Sequence, residues 1–340
     1  MRVAVVTEPY KVEVLEKPVP EVGEKDVLIK TVRAGICGSD IHLYKGTHAF
    51  RNPPADLGHE ISGQVVEVGE KVEKIKVGDR VTIEPQIGCG ECEYCKSGHV
   101  NLCKSKIVPG TPKWGGTFSE YFAAPEQTVY KLADDVSYDK GALTEPLAVA
   151  VQALGNVADA DKDAVAILGS GTIGLLSLAV CVKRGYKKIF CTDTAPFNRE
   201  LALKLGATKV YDPLNEDVEA LIKEETGGKG VDVCVIAAGA PNIVDQASNI
   251  TKKLGSVVLV AMITKSIPVY TYSFVFNEQK LIGSMTYTTE AFQEAMDMIN
   301  DGINVEAIIT HLLPLEESGK GLGILDTKSE NAGKILVHMD

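Results

Sequence analysis

The second half of the chain alternates short apolar runs with segments of helical periodicity, and no other feature restricts the fold as strongly. After about Ala148 the apolar runs lie at residues 164–168, 188–193, 209–212, 232–238, 256–262 and 280–285. Strands that are apolar along their whole length are buried on both faces, so these repeated βα units predict a doubly wound parallel sheet. One amphipathic helix, TTEAFQEAMDMINDG, and a few short elements follow the last run.

A glycine-rich turn joins the first of these strands to the first helix. Gly169, Gly171 and Gly174 form G-x-G-x-x-G between an apolar strand and an apolar helix. In that context a helix N-terminus meets a pyrophosphate, so the pattern predicts dinucleotide binding. Asp193 ends the second strand, where a carboxylate accepts hydrogen bonds from the ribose of NAD and repels the 2′-phosphate of NADP. The alternative is a turn that only packs the helix on the strand.

The first 146 residues have a different pattern of apolar and turn-forming residues. Short Val- and Ile-rich runs are separated by Gly, Pro and Asp turns, which predicts a small β barrel or sandwich. A length of 340 residues suits two such domains better than one core.

The charge of the chain limits its partners. With a net charge of −11 and no long basic run, nucleic acid and anionic membranes are not expected to bind. Residues 164–182 are nearly all apolar and match a bilayer span in length, but their glycines favour a strand, a turn and a buried helix. The N-terminal segment lacks the zones of a signal peptide, so we expect a cytoplasmic protein with reduced thiols.

Four cysteines lie close together with the spacing C-x2-C-x2-C-x7-C. A disulfide pair, an iron–sulfur cluster and a zinc ion are the alternatives, and the reducing compartment disfavours the first. The favoured interpretation is a tetrahedral zinc ion bound by four thiolates. Such a closed site is structural, because no coordination position remains for a substrate. Its ligands would be Cys89, Cys92, Cys95 and Cys103.

A second candidate metal site is dispersed along the chain. Cys37 lies in a Gly-flanked turn together with Ser39, Asp40 and His42, whereas Cys181, Cys191 and Cys234 lie in apolar segments and are expected to be buried. His59 and Glu60 follow in LGHEISG, and Glu145 precedes a proline near the domain boundary. One thiolate, one imidazole, one carboxylate and a water form a catalytic zinc set, although spacing alone leaves open whether these segments converge.

These motifs together resemble the zinc-dependent medium-chain dehydrogenases/reductases. GICGSDIH, GHE, the four-cysteine segment, EPLAVA and GSGTIG stand in the order of that family, and the resemblance covers essentially the whole chain. It implies a GroES-like catalytic domain at residues 1–148, a Rossmann domain at 149–286 and a return to the catalytic domain at 287–340. GHEISG with EPLAVA is most similar to the polyol and diol dehydrogenase branch.

The resemblance also implies roles for individual residues. The ligands of a catalytic zinc are matched by Cys37, His59 and Glu145. Glu60 matches an acid that can exchange into the coordination shell of that zinc. The four clustered cysteines match the ligands of a structural zinc. Ser39 matches the hydroxyl that takes the substrate proton, and His42 the next relay member. The residues that match or neighbour cofactor contacts are Gly169, Gly171, Thr172, Ile173, Gly174, Asp193, Arg199, Val260, Met262, Ser284 and Thr286.

The expected function is therefore an NAD-dependent dehydrogenase of a secondary alcohol, with two zinc ions per chain. The substrate is expected to be a vicinal diol or small polyol, and the protein a homo-oligomer, dimer or tetramer. Thr286-Tyr287 stands where many polyol dehydrogenases have Arg-Tyr, and Trp114 and Tyr44 are expected to narrow the cleft, so a short diol is favoured. L-Threonine 3-dehydrogenase and a non-catalytic zinc-stabilised binding protein are the alternatives.

Overall fold

The computed structural model describes residues 1–339. The strands are β1 Arg2–Glu8, β2 Lys11–Glu16, β3 Asp26–Gly35, β4 Ala55–Asp56, β5 Glu60–Val68, β6 Arg80–Ile83, β7 Tyr121–Pro125, β8 Val129–Lys131, β9 Ala164–Leu168, β10 Lys188–Thr192, β11 Lys209–Tyr211, β12 Val231–Ile236, β13 Thr251–Leu259, β14 Lys280–Gly283, β15 Ile309–Pro314 and β16 Lys334–His338. The α-helices are α1 Gly38–Tyr44, α2 Glu93–Lys96, α3 Tyr138–Gly141, α4 Thr144–Gly155, α5 Thr172–Lys183, α6 Pro196–Lys204, α7 Val218–Glu225, α8 Ile243–Ile250, α9 Thr271–Asn277, α10 Thr289–Asn300 and α11 Ser318–Thr327.

The chain divides into two compact units. The first unit contains Met1–Glu145, Phe292–Gly302 and the residues from Ile309 onward, and the second contains Pro146–Ala291 and Ile303–Ile308. The first unit is therefore assembled from segments on both sides of the second unit in the sequence.

The first unit is built on β sheets, as its short Val- and Ile-rich runs predict. Its main sheet has the strand order β15-β16-β3-β5-β6-β8, with β7 also paired to β3, and a smaller sheet has the order β2-β1-β4. Alternate residues of β3, among them Val27 and Ile29, are fully buried, because one face of the sheet packs on an apolar core.

Trp114 belongs to that core, and the prediction that it narrows a substrate cleft is wrong. Only 8% of the residue is exposed, its ring lies 5.5 Å from that of Phe122, and its Nε1 donates a hydrogen bond to the Ala123 carbonyl at 2.8 Å. A large aromatic side chain gains more from burial with a satisfied N–H than from exposure in a loop.

The second unit has the doubly wound parallel sheet that the sequence predicts. Its strand order is β11-β10-β9-β12-β13-β14, and all neighbouring strands are parallel. Every residue of β9 and β12 is buried, which explains why these strands are continuous apolar runs. The strand order reverses between β9 and β12, and ligands of such sheets bind at the carboxyl ends of the strands at this switch point.

The apolar segment at residues 164–182 consists of β9, the glycine turn and most of α5. Within residues 1–339, no helix combines the length and the apolar character that a bilayer crossing requires.

Candidate active site and metal centres

Three predicted ligands meet at one end of the β3–β5 pair. Cys37 precedes α1, directly after β3, and His59 and Glu60 lie at the start of β5, where Gly35 of β3 is paired with Glu60. The ligand atoms of these three residues lie within 4.8 Å of one another. A sulfur, an imidazole and a carboxylate at this separation form a donor set that fits zinc, the metal that the family resemblance implies.

Asp40 supports two of these ligands, a role that the sequence analysis did not assign. Its Oδ2 accepts a hydrogen bond from the Cys37 backbone N–H at 3.0 Å, and its Oδ1 lies 3.9 Å from Nδ1 of His59. The side chain is fully buried. An acid at the third position of a helix commonly bonds back to the residue before the helix, so CGSD carried a signal for the first contact. A carboxylate behind a ligating histidine orients the ring and raises its basicity.

Glu60 is held by a lysine from the far end of the chain. The Nζ of Lys334 forms an ion pair with the Glu60 carboxylate, with 2.6 Å to Oε1, and donates to the Ile36 carbonyl at 2.9 Å. Glu60 is fully buried and Lys334 is 2% exposed, so each charge depends on the other for compensation. Their separation of 274 positions in the sequence explains why no sequence pattern could indicate this pair.

The chemical state of Cys37 depends on its surroundings. Burial raises the pKa of the Cys37 thiol, and the charges of Glu60 and Asp40 raise it further, while the charge of Lys334 and a hydrogen bond with the Ser39 side chain oppose the shift. A metal cation on the sulfur reverses this tendency, because a coordinating thiol is deprotonated. The same hydrogen bond places the Ser39 hydroxyl next to the candidate ligands.

The remaining predicted residues of this site lie on two helices. His42 is in α1, and its Nδ1 lies 3.4 Å from the Thr47 hydroxyl. Glu145 is the second residue of α4 and is 7% exposed. It is not part of the three-residue set whose ligand atoms lie within 4.8 Å of one another.

The clustered cysteines form a second donor set, the four-cysteine lobe (residues 89–103). The sulfur atoms of Cys89, Cys92, Cys95 and Cys103 lie within 4.8 Å of one another. Backbone N–H groups of Glu91 and Cys92 lower the pKa of Cys89 to about 6, which favours the thiolate that metals bind. Helix α2, inside the lobe, has no buried residue. Four sulfurs around one point fit a closed zinc site that holds this segment together.

The glycine turn of the second unit leaves space for a dinucleotide. A Cβ on Gly174 would lie 1.9 Å from the Gly169 carbonyl oxygen, so the helix approaches the strand too closely for any other residue. A Cβ on Gly171, which precedes α5, would meet no atom within 4 Å. This open space in front of a helix N-terminus, where Thr172 and Ile173 begin α5, fits a pyrophosphate.

Asp193 lies beside this turn. Its Oδ2 accepts from the Ser170 N–H at 2.9 Å and its Oδ1 from the Ala195 N–H at 2.8 Å, which fixes the carboxylate. Arg199 donates to the Asp193 carbonyl at 2.6 Å and pairs with Asp212 at 3.2 Å. The guanidinium of Arg199 is therefore already engaged within the protein.

The other predicted cofactor residues follow the last two strands of this sheet. The Val260 N–H donates to the Ile236 carbonyl at 3.1 Å, and Met262 is 68% exposed. Beyond β14, the buried hydroxyls of Ser284 and Thr286 have no hydrogen-bond partner among residues 1–339. Buried hydroxyls normally have partners, so these two fit a site that a polar ligand completes.

Two family models match the chain. The first, described as an alcohol dehydrogenase GroES-like domain, matches residues 23–134, and the second, described as a zinc-binding dehydrogenase, matches residues 172–301. The first range contains all seven residues of the two donor sets, and the second begins within the glycine turn.

Characterised proteins are similar along nearly the whole chain. D-Arabitol-phosphate dehydrogenase of Enterococcus avium is 38% identical, with 89% of this chain and 87% of that protein covered. L-Threonine 3-dehydrogenase of Caldanaerobacter subterraneus subsp. tengcongensis is 33% identical, with coverage of 96% and 95%. The crystal structure of 2R,3R-butanediol dehydrogenase from Bacillus subtilis is 32% identical, has a TM-score of 0.90 and gives coverage of 100% and 99%.

Proposed function

Because the chain belongs to the zinc-dependent medium-chain dehydrogenases/reductases, in their polyol and diol branch, and is an oxidoreductase of secondary alcohols, we propose that it oxidises a vicinal diol or small polyol with NAD. The observation that carries this proposal is the set Cys37, His59 and Glu60, with ligand atoms within 4.8 Å of one another and the Ser39 hydroxyl beside the thiol.

The reaction divides between the metal, the cofactor and the protein. When bound, zinc supplies Lewis acidity toward the substrate oxygen, and the nicotinamide supplies the hydride acceptor. Ser39 accepts the hydroxyl proton of the substrate, and His42 on the same helix receives it on the way to solvent. The alcohol thus loses one proton and one hydride and becomes a ketone. Asp40 and Lys334 hold His59 and Glu60 in place during this process.

NAD, rather than NADP, is the proposed cofactor. The fixed carboxylate of Asp193 suits ribose hydroxyls and repels a 2′-phosphate, and Arg199 is occupied by Asp212 and by the Asp193 carbonyl. We further propose two zinc ions per chain, one at the Cys37 set and one in the four-cysteine lobe. Glu145, a further proposed ligand, would bind the zinc ion at the Cys37 set directly or through water.

A substrate panel tests the function. The protein loaded with zinc is assayed for NADH formation with 2,3-butanediol, sorbitol, D-arabitol and L-threonine, and with NAD and NADP as acceptors. We expect turnover of at least one secondary alcohol and a higher kcat/KM with NAD than with NADP. L-Threonine is the second candidate substrate, because a threonine dehydrogenase is similar over 96% of the chain. Absence of turnover in every assay would favour a binding protein.

The Ser39→Ala variant is expected to keep both zinc ions and to lose kcat by about 10²–10⁴, the usual cost of a lost general base. The hydroxyl is the group that receives the proton, while the sulfur, imidazole and carboxylate donors stay in place. Zinc content and kcat are measured together, with Thr47→Ala as a control that changes a hydroxyl near His42 and leaves Ser39 intact. A near-normal kcat in Ser39→Ala would remove this residue from the relay.

A homo-oligomer in the cytoplasm completes the proposal. Helix α9 has no buried residue, and Tyr272, Val275 and Phe276 on it are 59%, 73% and 65% exposed. Apolar exposure of this kind supports contact between copies of the chain. Thiolate zinc sites need reduced cysteines, which the cytoplasm maintains.

A further inference from the structure

Arg51 is a nearly buried arginine next to the proposed proton acceptor. It lies in the segment between α1 and β4, and its side chain is 7% exposed. Its Nη2 donates toward the Ser39 hydroxyl at 3.5 Å and toward Oδ1 of Asp40 at 3.4 Å. Neither the motif pattern nor the family resemblance gives this residue a role.

The surrounding chain holds this guanidinium in place. The backbone N–H groups of Phe50 and Arg51 donate to Nδ1 of His48 at 3.1 and 3.0 Å, which fixes the turn that carries Arg51. Burial, followed by the charge of Arg51, lowers the pKa of His48 to about 4, so the ring is a neutral acceptor. A Cβ on Gly110, whose φ is +76°, would lie 2.8 Å from Nη1 of Arg51, so a glycine there leaves room for the cation.

Most of the hydrogen-bonding capacity of Arg51 is unused. A guanidinium has five N–H donors, and both contacts of Arg51 come from Nη2 at the long end of the hydrogen-bond range. Within residues 1–339, its Nε and Nη1 have no hydrogen-bond partner. Asp40 compensates only part of the charge, because it also accepts from Cys37 and faces His59. A nearly buried cation with unused donors beside Asp40 favours a further anionic partner.

We propose that Arg51 binds an anionic group, a phosphate or a carboxylate, that the alcohol substrate carries near its reacting hydroxyl. This inference rests on the proposed function and narrows its substrate class. The planar fork of arginine matches both anions through two parallel hydrogen bonds. Since the whole chain has a net charge of −11 and repels anions at a distance, their recognition needs a local cation of this kind. The reacting hydroxyl of the substrate, next to Ser39, and the anionic group of the substrate, next to Arg51, would then lie a few bonds apart.

Matched substrate pairs test this proposal. D-Arabitol 1-phosphate is compared with D-arabitol, and L-threonine with L-threoninol, because the members of each pair differ only in the anionic group. For the wild type we expect kcat/KM to favour one anionic member at least about tenfold. Arg51→Met should lose about a hundredfold with that member, about 2.7 kcal/mol of transition-state binding, and change less than about threefold with its neutral partner. The pair in which kcat/KM favours the anionic member identifies the bound group as a phosphate or a carboxylate.

Two controls separate this role from others. Arg51→Lys should recover part of the loss, because the charge stays while the fork is gone. Arg33→Met removes a cation of the same unit that pairs with Asp139, and it should leave the preference unchanged. An equal loss for both members of a pair would mean that Arg51 acts on Ser39 instead, and would overturn the proposal.

Calorimetric binding keeps the test independent of turnover. D-Arabitol 1-phosphate and L-threonine are titrated into the zinc-loaded wild type, Arg51→Met and Arg51→Lys, with D-arabitol and L-threoninol as references. Binding of an anionic member to the wild type, lost in Arg51→Met, supports the site even if the substrate panel finds no dehydrogenase activity. Equal binding of both members of each pair to the wild type overturns it, whatever the variants do.

Discussion

Cys37→Ser is expected to lose one zinc ion and at least about 10³ of kcat while the fold is retained. Lewis acidity at the substrate oxygen is worth several kcal/mol, and each 1.36 kcal/mol is tenfold in rate. The backbone N–H of residue 37 still reaches Asp40, so α1 should begin in the same place. Elemental analysis, circular dichroism and NADH formation are measured on the same preparation.

Cys181→Ala is the matched control for that variant. Cys181 is a free, fully buried cysteine of α5 and belongs to neither donor set. We expect it to keep two zinc ions and most of its activity, with a modest loss of stability from the missing sulfur. Full activity of Cys37→Ser would show that this thiol is not needed for turnover.

Cys89→Ser is expected to release the other zinc ion and to unfold the four-cysteine lobe. Structural zinc sites contribute apparent binding free energies of about 10–16 kcal/mol, which in small lobes is folding free energy. Helix α2 buries no side chain, so nothing apolar replaces the metal there. A serine hydroxyl cannot supply the thiolate that the backbone of Glu91 and Cys92 stabilises at position 89.

Zinc content, melting temperature and limited proteolysis of residues 89–103 measure this effect. Ser97→Ala is the control inside the lobe, because its hydroxyl contacts the Tyr94 carbonyl and no cysteine. We expect one zinc ion, a lower melting temperature and cleavage in the lobe only for Cys89→Ser. Iron in the wild-type lobe, or an unchanged melting temperature in Cys89→Ser, would contradict the assignment.

The parallel sheet was predictable because its strands are apolar along their whole length. The run at 164–168 coincides with β9, and the run at 232–238 overlaps β12. Strand β13 was predicted from residue 256 but begins at Thr251. Two lysines and Leu254, which has a φ of +63°, interrupt the pattern there, and the pairing with β12 shifts register at the same point.

The candidate site was predictable only as far as its motifs extend. Cys37, His59 and Glu60 carry local patterns, and the pairing of β3 with β5 brings them together. Lys334 has no such pattern, because its role arises from a strand pairing across 274 residues. The error at Trp114 has a related cause, since a loop rich in Gly and Pro does not reveal which core its aromatic side chain enters.

The late position of β16 in the sequence affects the order in which the candidate metal centre is assembled during synthesis. All candidate zinc ligands precede residue 146, but β16, which pairs with β3 and carries Lys334, is synthesised after all of them and after the second unit. At roughly 5–20 residues per second, translation of the 274 residues that follow Glu60, up to and including Lys334, takes about 14–55 s. During that time a nascent chain exposes an unpaired sheet edge and a glutamate without its counter-ion, while the second unit can already fold. The candidate metal centre is therefore completed only once β16 has been synthesised, and a chain that terminates before Lys334 lacks the counter-ion of Glu60 although it keeps every candidate ligand.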